Sequence, residues 1–231
     1  MTRIHVSTRC TAAAVLALAF ALPAVPALAL KPAQARYDLS YNGRPASGSM
    51  SVRPQTGGRW LVSLRVGNLL GSIDQATVFD FAAARPRPLG SSRHVSTVVS
   101  NKGVVARFDW RHRRASWSGD VKPHRRGPVP LLAGDVDPLV LNVALAADVA
   151  AHRTPSYRML ENGRARILAY RRLRNETLVV GGRRVDTVKL FASEAGKQYV
   201  AWVAPGVPLP VRLLQHELGG DTVDLRMRAL P

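Results

Sequence analysis

Apolar and polar residues alternate one by one along most of this chain, and this period of two constrains its fold more than any other feature. A strand points successive side chains to opposite faces, so each alternating segment predicts a strand with one buried face. One buried and one wet face is typical of antiparallel sheets. From Arg36 onward the clearest segments are Tyr37, Leu39 and Tyr41; Trp60, Val62, Leu64 and Val66; Val104, Ala106, Phe108 and Trp110; and Val223, Leu225 and Met227.

Short glycine- and asparagine-rich signals separate these apolar runs. Both residue types tolerate the positive φ that tight hairpin turns require, so the signals predict a meander of hairpins with about eleven strands. They lie at Asn42-Gly43, Gly57-Gly58, Asn101-Lys102-Gly103, Asn162-Gly163, Gly181-Gly182 and Gly219-Gly220-Asp221.

One segment departs from the period of two and has helical spacing. Its apolar residues recur at intervals of three and four between Leu139 and Ala151. Asp137 suits the N-cap and Pro138 the first helical position, while Thr154-Pro155 ends the segment. We therefore expect one principal helix over residues 138–151. A weaker candidate is a single helical turn at residues 68–71.

These patterns predict a mainly β fold: a single curved antiparallel sheet or open half-barrel, closed by one principal helix. One domain over residues 36–230 is the economical interpretation. An antiparallel sheet with an apolar face has to cover that face, and the helix is the obvious cover. Two arrangements of the interior stay open. The concave side either encloses an apolar groove that suits a lipid or acyl chain, or is filled by the protein's own side chains.

Residues 1–29 have the order of a secretory signal peptide. Two arginines precede an apolar run from Thr11 to Leu22, and the segment ends in the small residues Ala27-Leu28-Ala29. The run is shorter than the ~20 residues that a spanning helix needs. We expect cleavage after Ala29, with Ala35 as the second choice, and a periplasmic protein that is not integral to the membrane. The only cysteine, Cys10, precedes the apolar run, so a lipoprotein is not expected.

The chain is strongly basic, with 33 Lys and Arg against 15 Asp and Glu and a formal net charge of +18. This balance favours an anionic partner or environment. An exported protein does not normally meet nucleic acid, so the expected anions are lipid head groups, acidic glycans and acidic proteins. The alternative is compositional, because 28 of the basic residues are Arg, as in genomes of high G+C content.

Two groups of basic residues flank Trp117 on either side of one predicted hairpin. If that hairpin closes, both groups reach the same edge and their charges add. The alternative is that they are solvated loop residues. The candidate anion-binding residues are Arg111, Arg113, Arg114, Arg125 and Arg126.

The sequence contains no linear motif for catalysis, for a cofactor or for a metal. No two histidines have metal-ligand spacing, and no serine stands in a nucleophile motif. We therefore expect a non-enzymatic role without a cofactor and without catalytic, cofactor-binding or metal-binding residues. The alternative is an enzyme whose site is assembled from scattered residues, for instance His112, Asp109 and Asp120 near one loop.

Five short motifs follow one another along the chain: RYDLSYNG at residues 36–43, FDW at 108–110, DVDPL at 135–139, AWVAP at 201–205 and LPVR at 209–212. In this order they resemble the bacterial exported proteins grouped as "domain of unknown function 3108". The resemblance covers nearly all of the chain after the predicted signal. It implies a periplasmic β-rich domain, similar in outline to the Lol lipoprotein carriers, which are a curved sheet closed by helices. It transfers no activity and no functional residue.

These features together predict a non-catalytic periplasmic cell-envelope protein that binds a lipid or an anionic envelope component. The lipid would place an apolar chain in the groove, and the anionic component would meet the arginines. An envelope protein partner is a third expectation that the sequence does not separate from these two.

Overall fold

The computed structural model describes residues 30–69 and 71–231, and antiparallel strands dominate it. The predicted signal peptide lies outside the described residues. The helix is α1 (Pro138–Ala150). The strands are β1 (Ala33–Tyr41), β2 (Arg44–Pro54), β3 (Trp60–Asn68), β4 (Gly71–Ala82), β5 (Arg85–Thr97), β6 (Asn101–Asp109), β7 (Arg114–Gly119), β8 (Val129–Pro130), β9 (Ser156–Glu161), β10 (Arg164–Ala169), β11 (Arg171–Arg172), β12 (Glu176–Val180), β13 (Arg183–Glu194), β14 (Lys197–Val203), β15 (Arg212–Glu217) and β16 (Thr222–Met227).

A 14-stranded antiparallel sheet forms the body of the molecule. Its strands follow the order β11-β13-β14-β15-β16-β1-β2-β3-β4-β5-β6-β7-β8. The fourteenth strand, β12, stands outside this order and pairs with β13. Within the described part of the chain, the two ends of the order, β8 and β11, do not pair, so the curved sheet is not closed into a barrel. The predicted class of a mainly β fold with one curved sheet and one principal helix is confirmed.

The sheet contains more strands than the eleven expected, because several hairpins turn without a glycine or asparagine signal. β4 and β5, for example, turn at Ala83 and Ala84, two alanines with φ of 49° and 60°. Five of the six predicted turns do join consecutive strands, but Asn101-Lys102-Gly103 already belongs to β6. The predicted helical turn at residues 68–71 is wrong, because Asn68 pairs with Gly71 in the antiparallel ladder of β3 and β4.

The first strand lies in the middle of the sheet, between β2 and β16. Tyr37 on β1 pairs with Gly48 on one side and with Met227 on the other. Its side chain is buried, and its hydroxyl donates a hydrogen bond of 2.8 Å to the carbonyl oxygen of Pro210. The segments before and after the helix therefore share one continuous sheet.

The helix α1 packs inside the curve of the sheet, against β3, β4, β5, β14 and the β9 strand of the small β9–β10 hairpin. Ten of its thirteen residues are buried, as in a helix that is apolar nearly all round. It begins at Pro138, as predicted, with Asp137 as the N-cap accepting a hydrogen bond of 2.8 Å from the main-chain N–H of Val140. Within residues 30–69 and 71–231, the structure contains no helix with the length and apolar character of a transmembrane helix.

Two apolar clusters hold these elements together. The main core surrounds α1 and includes the predicted face of β3, where Val62 is buried and Trp60 and Leu64 pack beside it. A second, smaller cluster lies under the β6–β7 hairpin and contains the predicted pair Ala106 and Phe108. The alternation therefore assigned the buried faces of β3 and β6 correctly.

Candidate functional site

One end of the half-barrel holds an open groove with a volume of about 910 Å³. Its walls come from strands β1 to β5 and β14 to β16, while α1 and the β9–β10 hairpin close it from within. The interior therefore combines both arrangements expected from the sequence. Side chains fill the space around most of α1, and open space remains at one end.

Buried apolar side chains line the depth of this groove. Leu141 and Leu145 lie one helical turn apart on the same face of α1. Burial raises the pKa of the phenols of Tyr170 and Tyr199, so both stay neutral. The depth of the groove therefore presents no charge to a ligand. Its buried lining residues are Leu39, Leu141, Leu145, Met159, Tyr170, Ala201 and Leu225.

Charged residues stand along the edge of the groove and form a partly paired network. Glu161 accepts two cations, with Arg166 Nη1 at 3.3 Å and Arg93 Nη1 at 3.9 Å. Lys197 pairs with Glu217 at 2.8 Å. The charged residues of the lining are Arg44, Arg93, Arg166, Lys197, Glu161 and Asp221. Arg166 and Lys197 each also pair with an acid outside the lining, Glu194 at 3.6 Å and Glu217. None of these six charged lining residues was among the binding residues predicted from the sequence.

A second, smaller depression of about 300 Å³ lies on the outer face of the β6–β7 hairpin. Two of the five predicted anion-binding residues line it, Arg114 at the start of β7 and Arg126 in the following loop. The carbonyl oxygen of Arg126 accepts a hydrogen bond of 2.7 Å from the Trp117 N–H, which ties this loop to β7. Arg107 on β6 adds a third guanidinium, and Asp109 a carboxylate.

The other three predicted arginines are absent from the described lining of this depression. Arg111 and Arg113 lie in the turn between β6 and β7. Arg125 is half-buried, and its Nε is buried without a hydrogen-bond partner in the described part of the chain. Arg107, which was missed, could have been found from the alternation, because it shares the wet face of β6 with Asp109.

The scattered residues of the alternative enzyme hypothesis are only partly brought together. His112 Nδ1 lies 2.9 Å from Asp109 Oδ2, and the hydrogen bonds from His112 hold the pKa of the Asp109 carboxyl below its usual range. Asp120 lies at the opposite end of β7, where it accepts a hydrogen bond of 2.7 Å from the Gly103 N–H. Within residues 30–69 and 71–231, no group of three or more His, Cys, Asp or Glu residues could hold a metal ion.

Comparison with known proteins gives a structural likeness but no family. No protein-family model matches the sequence, and no curated protein is detectably similar to it. The chain is similar in structure to a "Beta-barrel-like Protein of Domain of Unknown Function DUF1849 from Brucella abortus", with a TM-score of 0.48 and 10% identity. The alignment covers 86% of this chain and 96% of that one. The described structure is a β-rich domain, and the finer resemblance drawn from the sequence motifs stays a prediction.

Proposed function

We propose that this protein is an exported, non-catalytic cell-envelope protein that holds the apolar part of a lipid or related amphiphile in the groove. The observation that carries this proposal is open space of about 910 Å³ lined in its depth by buried apolar residues. Small-molecule sites are typically apolar concavities of roughly 300–1,000 Å³. The groove is therefore large enough for an acyl chain, and its open end leaves a head group in water.

The edge of the groove favours an amphiphile with an anionic head group. Four basic and two acidic residues belong to the lining, and the whole chain carries a net charge of +18. Arg166 is paired twice, with Glu161 at 3.3 Å and with Glu194 at 3.6 Å, whereas Arg93 lies 3.9 Å from Glu161 and Arg44 is exposed at the edge. A phosphate or carboxylate at the edge would pair with Arg93 and Arg44.

The compartment and the family belong to the same proposal. The signal-like order of residues 1–29 supports export to the periplasm. The motif resemblance to the "domain of unknown function 3108" proteins, and the Lol-carrier outline that this resemblance implies, agree with a role in the envelope. This agreement is at the level of fold, and it does not identify a ligand.

The proposal is tested by filling the groove. Val66 lies on its wall, so Val66→Trp is expected to weaken binding of a fluorescent fatty acid at least tenfold. Val105→Trp places the same side chain on the exposed side of β6 and serves as the matched control. Native mass spectrometry of protein purified from the periplasm is expected to show a lipid adduct on the parent and on the control but not on Val66→Trp. Equal fatty-acid binding by both variants would contradict the proposal, provided that both unfold at the parent's temperature.

The outer depression supports a second candidate function, the binding of an anionic group. Arg107, Arg114 and Arg126 reach it from three different segments, and Asp109 is its one lining acid. Three guanidiniums around one depression repel each other, and an anion relieves that repulsion. This candidate does not exclude the first, because the depression lies on the outer face and the groove inside the curve.

A further inference from the structure

Two hairpin tips at the mouth of the groove expose aliphatic side chains almost completely. Leu69 in the β3–β4 turn is 101% exposed, and Val98 and Val99 in the β5–β6 turn are 80% and 92% exposed. Single exposed aliphatic residues are ordinary on protein surfaces. These three, called here the tip residues, are the most exposed large hydrophobic residues in the described part of the chain.

The two tips are neighbours at one end of the sheet. Gly71, where β4 begins, pairs with Thr97, where β5 ends, so both turns lie at the same level. They are separated by two strand spacings, ~10 Å. Thr97 and Ser100 exchange main-chain hydrogen bonds of 2.8 and 3.4 Å directly beneath the two valines, which closes that tip tightly. The exposed side chains therefore form one apolar patch at this end of the sheet.

This patch belongs to the mouth of the groove. Gly71, Ser96 and Thr97, at the base of the two tips, all line the groove. Leu218, in the turn between β15 and β16, is also exposed and stands on the opposite wall at the same end. A surface that covers the tips would therefore also face the opening.

The charges near the tips suit an anionic lipid surface. Residues 66–73 and 95–103 contain no acid and a single charged residue, Lys102. Arg44, the first residue of β2, is exposed at the same end, and Asp221 in the β15–β16 turn is hydrogen-bonded to Tyr41 and Asn42. Aliphatic side chains that enter a bilayer, with cations beside them at the head-group level, are the arrangement that interfacial binding requires.

We propose that the tip residues insert into the surface of an anionic lipid bilayer and so present the mouth of the groove to the membrane. The insertion uses exposed side chains on turns and needs no change in the sheet. It also does not depend on what occupies the groove, so it stands or falls separately from the proposed function.

Flotation with vesicles of phosphatidylglycerol and phosphatidylethanolamine tests this inference. The variant Leu69→Ser/Val98→Ser/Val99→Ser is expected to partition into vesicles roughly tenfold more weakly than the parent. The control Val105→Ser/Val179→Ser removes exposed valines from strands away from both tips and is expected to bind like the parent. Equal binding of the tip variant and the parent would overturn the inference.

A second measurement reports insertion directly. In a Cys10→Ser background, an environment-sensitive fluorophore on Val99→Cys is expected to shift to the blue when vesicles are added. The same label on Val179→Cys is expected to stay unchanged. Val66→Trp, which fills the groove, is expected to bind vesicles normally, which separates failure of the groove proposal from failure of this one. Absence of any shift at position 99 would overturn the inference.

Discussion

Thr77 on β4 donates a hydrogen bond to the carboxylate of Asp137, the residue that caps α1. Both side chains are buried, and Asp137 also accepts the Val140 N–H at 2.8 Å. One carboxylate thus joins the sheet to the first turn of the helix in the apolar interior. The position of α1 sets how much of the concave side stays open, so this joint also supports the shape of the groove.

Removal of the Thr77 hydroxyl is expected to destabilise the protein. In Thr77→Val the buried carboxylate loses a partner while the side-chain volume hardly changes, so the free energy of unfolding should fall by roughly 1–3 kcal/mol. Thr177→Val is the matched control, because Thr177 makes the same bond to Asp186 at 2.6 Å on the exposed surface. The control should lose less than about 1 kcal/mol. Urea unfolding of the parent and the two variants measures these losses in the free energy of unfolding. Equal losses in Thr77→Val and Thr177→Val would contradict the role of burial.

The pH dependence of stability should carry a signature of Asp137. Burial raises the pKa of this carboxyl to about 6, above its ordinary value of 3.8. Between these values the folded protein binds a proton that the unfolded chain has released, so stability falls by about 1.4 kcal/mol per pH unit as the pH rises. Below this window and above it, the contribution of Asp137 is constant.

Asp137→Asn isolates that contribution, because the other carboxyl groups are common to both proteins and asparagine also caps helices. The stability of the parent relative to the variant is expected to fall between pH 4 and pH 6 and then to level off. Urea unfolding at half-unit intervals measures this difference. A difference that is the same at every pH would show that the Asp137 pKa is not raised.

The position of the predicted cleavage has a structural consequence. Ala33 to Ala35 pair with Val52, Ser51 and Met50, Ala35 is buried, and Leu30 packs against the core. Cleavage after Ala29 keeps β1 whole, so we expect the exported protein to begin at Leu30. A chain that begins at Arg36 should be less stable by roughly 1–3 kcal/mol. The intact mass of the exported protein checks the cleavage position, and urea unfolding compares the stability of the two chains. A product that retains Met1 would contradict export.

The outer depression should bind phosphate through three specific arginines. At constant ionic strength, phosphate is expected to raise the melting temperature of the parent but not that of Arg107→Ser/Arg114→Ser/Arg126→Ser. The control Arg111→Ser/Arg113→Ser/Arg184→Ser removes the same charge from outside the depression. A loss of the phosphate effect in both variants would mean that net charge, and not this site, is responsible.

The period of two was sufficient for the fold class because burial of one face is a local property of each strand. The helix could also be predicted, since Asp137 as the N-cap and Pro138 as the first helical residue both act within one turn. The groove could not be predicted from the sequence, because its walls bring together residues such as Arg44 and Lys197 that are far apart in the chain. The anion-binding arginines could be predicted only in part for the same reason. Arg107 lines the depression from the neighbouring strand β6, while Arg111 and Arg113, which are close to Arg114 in the sequence, do not line it.

The pairing of β1 with β16 constrains how the protein folds. Arg228 and Asp38 form a hydrogen bond of 2.7 Å across a separation of 190 residues. β1 therefore keeps one side unpaired until the last strand, β16, joins the sheet. Unpaired strand edges attract other strands, and contacts of long sequence separation form slowly. The last strand to be translated thus completes the middle of the sheet, and until it docks the first strand is the edge most open to pairing with another chain.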